Sequence, residues 1–329
     1  MKKNITKYPM YTVYVLLVLC IWLGYMSKTD SWYLLKTNFQ IIITMVFGAF
    51  IAGSSPEGSS AIAYPIFTIL LDISPNDARN FAFAIQSIGM TAASIFILSK
   101  KIKVDWNYIK IVTPSGALGL IVGMYLVAPN IEASTAKLSF VSLWFAFGLI
   151  MIRENLTKVR NTKDVLLIQK SNDLILLLVA GFIGGVVSSI FGTGINMLTF
   201  CILVVFFNIN EKVATPSSII IMTIETIIGF TWHAFIFSDI SDKSYTMWLS
   251  AIPFVIFFAP LGTYLMYKMR NLIYNYFLYI IFIIQYFGAI IVLRPSNSKL
   301  LLSFGIILVS LLLFWLLLKQ SESTKRSEV

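Results

Sequence analysis

Gly53-Ser54-Ser55-Pro56-Glu57-Gly58-Ser59-Ser60 interrupts an apolar run over about residues 39–71, and Gly192-Thr193-Gly194 interrupts a second run in the other half of the chain. Glycine and serine loosen a helix, Pro56 removes a backbone donor and biases Ser55 out of the helical region, and Glu57 is expensive in apolar surroundings. At about 17 and 13 residues, the arms around the first break are short for membrane crossings, which take about 20. The expected structure is therefore a re-entrant helix-loop-helix, since non-helical backbone at membrane depth survives only where it faces protein or a wet cavity.

The rest of the chain agrees with a membrane setting. Its 329 residues are 58% hydrophobic and 12% charged, with a mean hydropathy of +0.83, whereas a soluble domain is about 25% charged. The fold class is all-α: a polytopic integral membrane protein. Full spans are expected over 10–26, 77–98, 106–128, 134–152, 213–237, 247–267, 272–293 and 300–318, with a hairpin at each break. The basic start before the first run resembles a signal peptide, but Gly24-Tyr25-Met26-Ser27 lacks the small-x-small cleavage pattern, so this run is read as a transmembrane helix.

Sliding one half on the other, an offset of 136 pairs Gly48 with Gly184, Gly58 with Gly194, Ile73 with Ile209 and Ala78 with Ala214. An offset of 139 pairs Pro114 with Pro253, Gly123 with Gly262 and Tyr125 with Tyr264, and 140 pairs Phe147 with Phe287 and Gly148 with Gly288. Break, prolines and glycines recur in one order, which reads as duplication. The expected organisation is an N-terminal helix and loop (1–35), repeat 1 (36–152), a basic linker (153–172), repeat 2 (173–294), a C-terminal helix (295–319) and a polar tail (320–329). Three spans plus a returning hairpin make an odd number of crossings, so the repeats should be inverted.

Charge supports one orientation. The net charge of +10 could suggest an acidic partner, but 18 of the 25 basic residues fall on one side: Lys2, Lys3, Lys7, Lys100, Lys101, Lys103, Lys110, Arg153, Lys158, Arg160, Lys163, Lys170, Lys212, Lys268, Arg270, Lys319, Lys325 and Arg326. That side is cytoplasmic by the positive-inside rule, and both termini share it. The lipid bilayer is the expected partner, and nucleic acid is not. The oligomeric state is open, a homo-oligomer included.

Inverted repeats with matched helix breaks point to a secondary transporter whose site lies at the breaks. Each half-helix that follows a break turns free N–H groups and its positive dipole end toward the membrane middle, which suits an anion. The candidate binding residues are Ser55, Glu57, Gly58, Ser59 and Ser60 in the first break, and Gly192, Thr193, Gly194 and Asn196 in the second. The following helices carry stripes at helical spacing, Arg79, Ala82, Gln86, Gly89 and Ala93 in one and Thr215, Ser218, Met222, Glu225 and Gly229 in the other. Of these, Gln86 and Ser218 are added to the binding residues, and Arg79 is expected to pair with Asp72 or Asp77. Glu57 and Glu225 are candidates to carry a proton.

Other chemistries lack their residues. His233 is the only histidine, so a metal-histidine centre or histidine triad is unavailable; no phosphate-binding Gly-x-x-x-x-Gly-Lys-Ser/Thr occurs. No cofactor, metal or enzymatic activity is expected. Cys20 and Cys201, in apolar runs, are read as small core residues.

Gly184-Gly185, Gly192-Thr193-Gly194 and Ala214-Thr215-Pro216-Ser217-Ser218 together resemble the TauE/SafE family of membrane transporters, over about residues 40–293. The resemblance implies export or uptake of small sulfur-containing anions such as sulfite, thiosulfate and sulfonates. The first repeat departs from the glycine-rich pattern with Ser54-Ser55-Pro56-Glu57-Gly58-Ser59-Ser60, a departure that touches the substrate rather than the architecture. The reading is a permease of the cell membrane working by alternating access; the alternatives are an anion channel or receptor-like membrane protein, and an intramembrane enzyme.

Overall fold

The computed structural model describes residues 9–59, 63, 66–157, 162–168 and 170–326. Its helices are α1 (Pro9–Lys28), α2 (Tyr33–Thr37), α3 (Phe39–Ser54), α4 (Pro75–Ser99), α5 (Trp106–Leu126), α6 (Ala133–Thr157), α7 (Ser171–Phe191), α8 (Ile195–Val205), α9 (Glu211–Thr231), α10 (Asp242–Lys268), α11 (Asn271–Leu293) and α12 (Asn297–Arg326). A π turn, Ile66–Leu70, precedes α4, and another, Trp232–Ile236, prolongs α9. Among the described residues there is no strand, only an isolated bridge between Lys163 and Ile209.

The boundaries follow local chemistry. Pro75 opens α4 behind Ser74, whose Oγ accepts from the Asp77 N–H at 3.1 Å. Asp105 caps α5 by accepting from Tyr108 N–H at 2.8 Å, Asn210 caps α9 through Lys212 N–H at 2.9 Å, and Ser241 caps α10 through Ser244 N–H at 3.1 Å. Each leaves one fewer terminal donor orphaned. Gly192 ends α7 in the left-handed conformation, φ +75°, where a side chain would be strained.

Among the described residues, eight helices are long and apolar enough to cross a membrane: α1, α4, α5, α7, α9, α10, α11 and α12. Seven of these carry expected spans. The eighth, α7, corresponds to the first arm of the second hairpin; its 21 residues extend about 31 Å, enough to cross alone. Shortness therefore marks α3 and α8, with 16 and 11 residues, but not α7. The expected span 134–152 lies within α6, which is not one of the eight.

Hydrogen bonds sort the helix ends into two groups. At the start of α3, Asn38 donates to Thr246 O and Ser250 Oγ on the first turns of α10. At the start of α4, Asp77 accepts from Ser241 Oγ at 2.5 Å and Ser244 Oγ at 3.2 Å, again at the start of α10. At the opposite end of α10, about 40 Å away, Lys212 donates to Tyr267 O and Met269 O. Lys163 exchanges backbone bonds with Asn208 and Asn210, and Lys103 pairs with Asp164 at 3.0 Å. The first broken segment thus starts and finishes at one end of α10, and α8 runs back toward the end where α7 began.

Packing interleaves the halves. α5 lies along α7, α3 along α10, and α4 against both α9 and α10; α6 packs on α11 and α12, and α8 on α7 and α9. Small residues set these approaches. A Cβ on Gly53 would come within 3.0 Å of the Ala259 backbone, and Thr263 Oγ1 donates to Gly53 O at 2.8 Å. Gly53 and Ser54 are therefore helical close-packing residues, and the break is narrower than the sequence implies, beginning at Ser55. Cys201 is buried, but Cys20 is exposed on α1, so the expectation of a core cysteine fails there. α1 and α12 present leucines outward, as Leu16, Leu17, Leu308 and Leu312 do, which water would penalise and lipid does not.

Candidate functional site

The two breaks meet. Asn196 Nδ2 donates to Pro56 O at 2.6 Å, joining positions 140 residues apart, and Thr193 Oγ1 reaches Glu57 O at 3.5 Å. From α4, Gln86 Nε2 donates to Gly192 O at 3.0 Å, while its Oε1 accepts from Ser59 N–H at 3.3 Å. One amide thus holds a backbone group of each break. Gly58 has φ +76°, and a Cβ there would lie 2.5 Å from Thr193 Oγ1 and 3.0 Å from Gln86 Oε1, so the position requires glycine both for its backbone and for its space. Met222, from the α9 stripe, closes the cluster with its sulfur 3.1 Å from Asn196 Nδ2.

Every described member of this cluster is buried, with Ser55, Glu57, Ser59, Gln86, Thr193 and Asn196 nearly inaccessible. Low local dielectric makes such contacts strong and unpaired groups costly. Two N-terminal donors of α8 are already engaged: Gly194 N–H reaches Asn196 Oδ1 at 3.2 Å and Ile195 N–H reaches Ser188 Oγ at 3.0 Å. They are not the open donors expected of a bare helix end. Ser59 Oγ, by contrast, is buried with no hydrogen-bond partner among the described residues, a valence that a ligand could fill.

Ser55 plays a local part, donating to Ile51 O at 2.9 Å and accepting from Glu57 N–H at 3.3 Å. Ser218 bonds its own helix at Thr215 O, 2.8 Å away, and has no contact with either break in the hydrogen-bond network. Ser60 lies outside the described residues. Gly89 and Gly229 of the stripes serve packing, against Val255 and Phe83. Arg79 faces a different carboxylate from the two expected, Asp239, at 3.8 Å, while Asp77 is engaged by Ser74, Ser241 and Ser244.

The two acids have different surroundings. With its amide nitrogen turned toward Glu57, Gln285 of α11 donates to Oε1 at 2.8 Å and Oε2 at 3.3 Å. Lys137 of α6, 1% exposed, places its ammonium 5.9 Å from the Phe140 ring and 5.8 Å from the Phe191 ring, and its charge acts on Glu57. Neither Glu225 oxygen makes a hydrogen bond of acceptable geometry among the described residues, although the Ser188 hydroxyl is near enough to influence it. A Cβ on Gly116 would lie 2.5 Å from Glu225 Oε1. Glu225 therefore sits between α5 and the start of α8.

Sequence reasoning missed Lys137 and Gln285. Lys137 is the only charged residue in the span expected over 134–152, and an intramembrane cation is itself a functional signal. Gln285, an amide deep in an apolar helix, carries the same signal more weakly.

A model of the family described as sulfite exporter TauE/SafE matches residues 41–285. Comparison with curated proteins and with solved structures gives no match. The matched region covers both breaks and every residue named in the cluster, Gln285 included, and the chain belongs to the TauE/SafE family.

Proposed function

We propose that this TauE/SafE member is a secondary carrier for a small anion, a sulfur-containing oxyanion or sulfonate, which it holds between the two breaks and moves by alternating access. The carrying observation is the buried polar cluster in which Asn196 and Gln86 tie one break to the other. Such a junction of two interrupted helices supplies backbone donors, hydroxyls and amides without the cost of exposing them to lipid. The shut cluster is the occluded stage of such a cycle. A channel would need no such closure, so the channel reading ranks second.

Two further features support an inverted duplication. The first hairpin starts at one end of α10 and the second finishes at the other, as the bonds of Asn38 and Lys212 indicate. Moreover, a Cβ on Gly123 would lie 2.9 Å from Val186 Cα, and one on Gly262 lies 3.1 Å from the Phe50 carbonyl carbon. Gly123 and Gly262 are the residues paired at offset 139, and Phe50 and Val186 are paired at 136, so the two contacts are exchanged counterparts. The same reading puts the Lys101, Lys163 and Lys268 ends on the cytoplasmic face of the cell membrane, by the positive-inside rule.

Proton coupling is assigned to Glu57 and Glu225. Ionising Glu225 would bury an uncompensated charge, whereas Glu57 has an amide donor and an ammonium to receive its charge. The test is flux of radiolabelled sulfite, thiosulfate and methanesulfonate in proteoliposomes, with and without a pH gradient. Glu57→Gln should retain exchange and lose acceleration by the gradient; Glu225→Gln shows the same defect if it shares the path. An undiminished pH response in both variants removes these acids from coupling, and absence of concentrative uptake of any of the three anions removes the carrier reading.

A further inference from the structure

We infer that Lys137 is the cation of the anion site and that it exchanges partners during transport: the anion takes the Lys137 ammonium, and Glu57, released from it, takes a proton. This rests on the carrier reading and adds a binding residue and a coupling rule to it.

A lysine ammonium in the interior of a membrane protein is retained only where something compensates it. Here the cation stands at the junction of both breaks. Phe191, whose ring it faces at 5.8 Å, is the last helical residue before Gly192, and Glu57, on which its charge acts, belongs to the first break. Two aromatic faces hold the ammonium without neutralising it, because a cation over a ring keeps its full charge and its hydrogen-bond donors. Glu57 has a second tether in Gln285, so losing the cation does not set the carboxyl adrift. Once protonated it can still accept from the amide nitrogen and donate its own proton.

The exchange follows from charge. A buried ammonium close to a carboxylate already has its counter-charge, and a second anion brought into that space is repelled unless the carboxylate is neutralised. Anion binding and protonation of Glu57 therefore favour each other, and by linkage the effect is reciprocal. Among the described residues, the titratable neighbours of this couple include Tyr274 of α11, whose hydroxyl is bonded to Thr215 at 2.6 Å, and beyond it Glu211 at the start of α9. Glu225 acts on Tyr108. A tyrosine phenol ordinarily stays protonated near neutrality, and Glu57 is the acid to which the exchange assigns the proton beside Lys137.

The experiment is proton uptake on anion binding, with purified full-length protein in weakly buffered detergent solution and a pH-indicating dye. Thiosulfate and methanesulfonate are the probes, since both stay fully ionised near neutral pH and any proton taken up belongs to the protein. At a pH above the Glu57 titration, wild type should take up about one proton per anion bound, with affinity rising about tenfold per unit fall in pH. Glu57→Gln should bind with no proton uptake and with affinity independent of pH. Lys137→Gln should lose at least tenfold in affinity and Lys137→Arg should recover most of it, each with a wild-type gel-filtration profile. Wild-type affinity in Lys137→Gln, or undiminished proton uptake in Glu57→Gln, overturns the exchange. Anion binding by wild type without proton uptake also overturns it but spares the carrier reading; failure of wild type to bind either anion removes both.

Discussion

Asn196→Ala tests whether the two breaks act as one unit. The side chain makes the 2.6 Å bond to Pro56 O and accepts from Gly194 N–H at 3.2 Å and Thr193 Oγ1 at 3.1 Å. Alanine leaves the Pro56 carbonyl and the Gly194 N–H buried without these partners, while Thr193 keeps its contact with Glu57 O. A buried polar group that loses its partner costs about 1–3 kcal/mol. Two in one network do not add fully, so the loss falls near 3 kcal/mol, on the order of 100-fold if it acts wholly on the joined, anion-bound arrangement. The assay is thiosulfate binding by equilibrium dialysis beside a thermal melt in the same detergent. Ser218→Ala is the control, because its hydroxyl bonds only its own helix in the hydrogen-bond network; it should bind within about twofold of wild type, matching the small effect of substitutions away from special features. Wild-type affinity in Asn196→Ala, with an unchanged melt, would refute the claim that this amide joins the site.

Other consequences are open to direct measurement. Gly58→Leu and Gly194→Leu should abolish anion binding while inserting normally, since side chains there would meet Thr193 Oγ1 at 2.5 Å and the Ser188 backbone nitrogen at 2.8 Å; binding at wild-type affinity in both variants excludes the proposed site. Single cysteines at Lys101, Lys163 and Lys268, with Cys20 and Cys201 replaced, should be labelled from the cytoplasmic face, and those at Glu132 and Ser241 from the other; labelling of Lys101 and Lys163 from opposite faces would defeat the inverted arrangement. Glu132, held by Lys299, Ser134 and Thr135, has its carboxyl lowered to about 2. A lowered acid contributes above its unfolded pKa and loses that contribution as pH falls through the folded one, so the link from the α5–α6 loop to α12 should persist at pH 4, and a carboxyl titrating near 4 at Glu132 by NMR would contradict it.

The second break was legible to the residue: α7 ends at Phe191 and α8 starts at Ile195, leaving the Gly-Thr-Gly that the sequence marks. The first was overextended, because Gly53 and Ser54 loosen a helix in isolation yet here serve α3 by letting α10 approach. Local composition cannot distinguish those uses. Gln86 was found from helical spacing and does join both breaks, but Ser218 shares the same kind of stripe and turns to its own backbone. Lys137 and Gln285 could be recognised only as polar residues in apolar runs; that they converge on Glu57 depends on α6 packing against α11, a contact between elements more than a hundred residues apart. Seven of the candidate spans were readable from length and hydropathy; α7, read as a hairpin arm from its place before the second break, has 21 residues and is as long and apolar as a full crossing.

The most direct test of the central claim is counterflow in proteoliposomes. Vesicles loaded with unlabelled sulfite, thiosulfate or methanesulfonate are diluted into a trace of the same radiolabelled anion. A carrier that holds the anion in a shut site between its breaks predicts transient accumulation of label above equilibrium with at least one of the three, abolished in Gly58→Leu. Label that only equilibrates, at a rate indifferent to the internal anion and to Gly58→Leu, would contradict it.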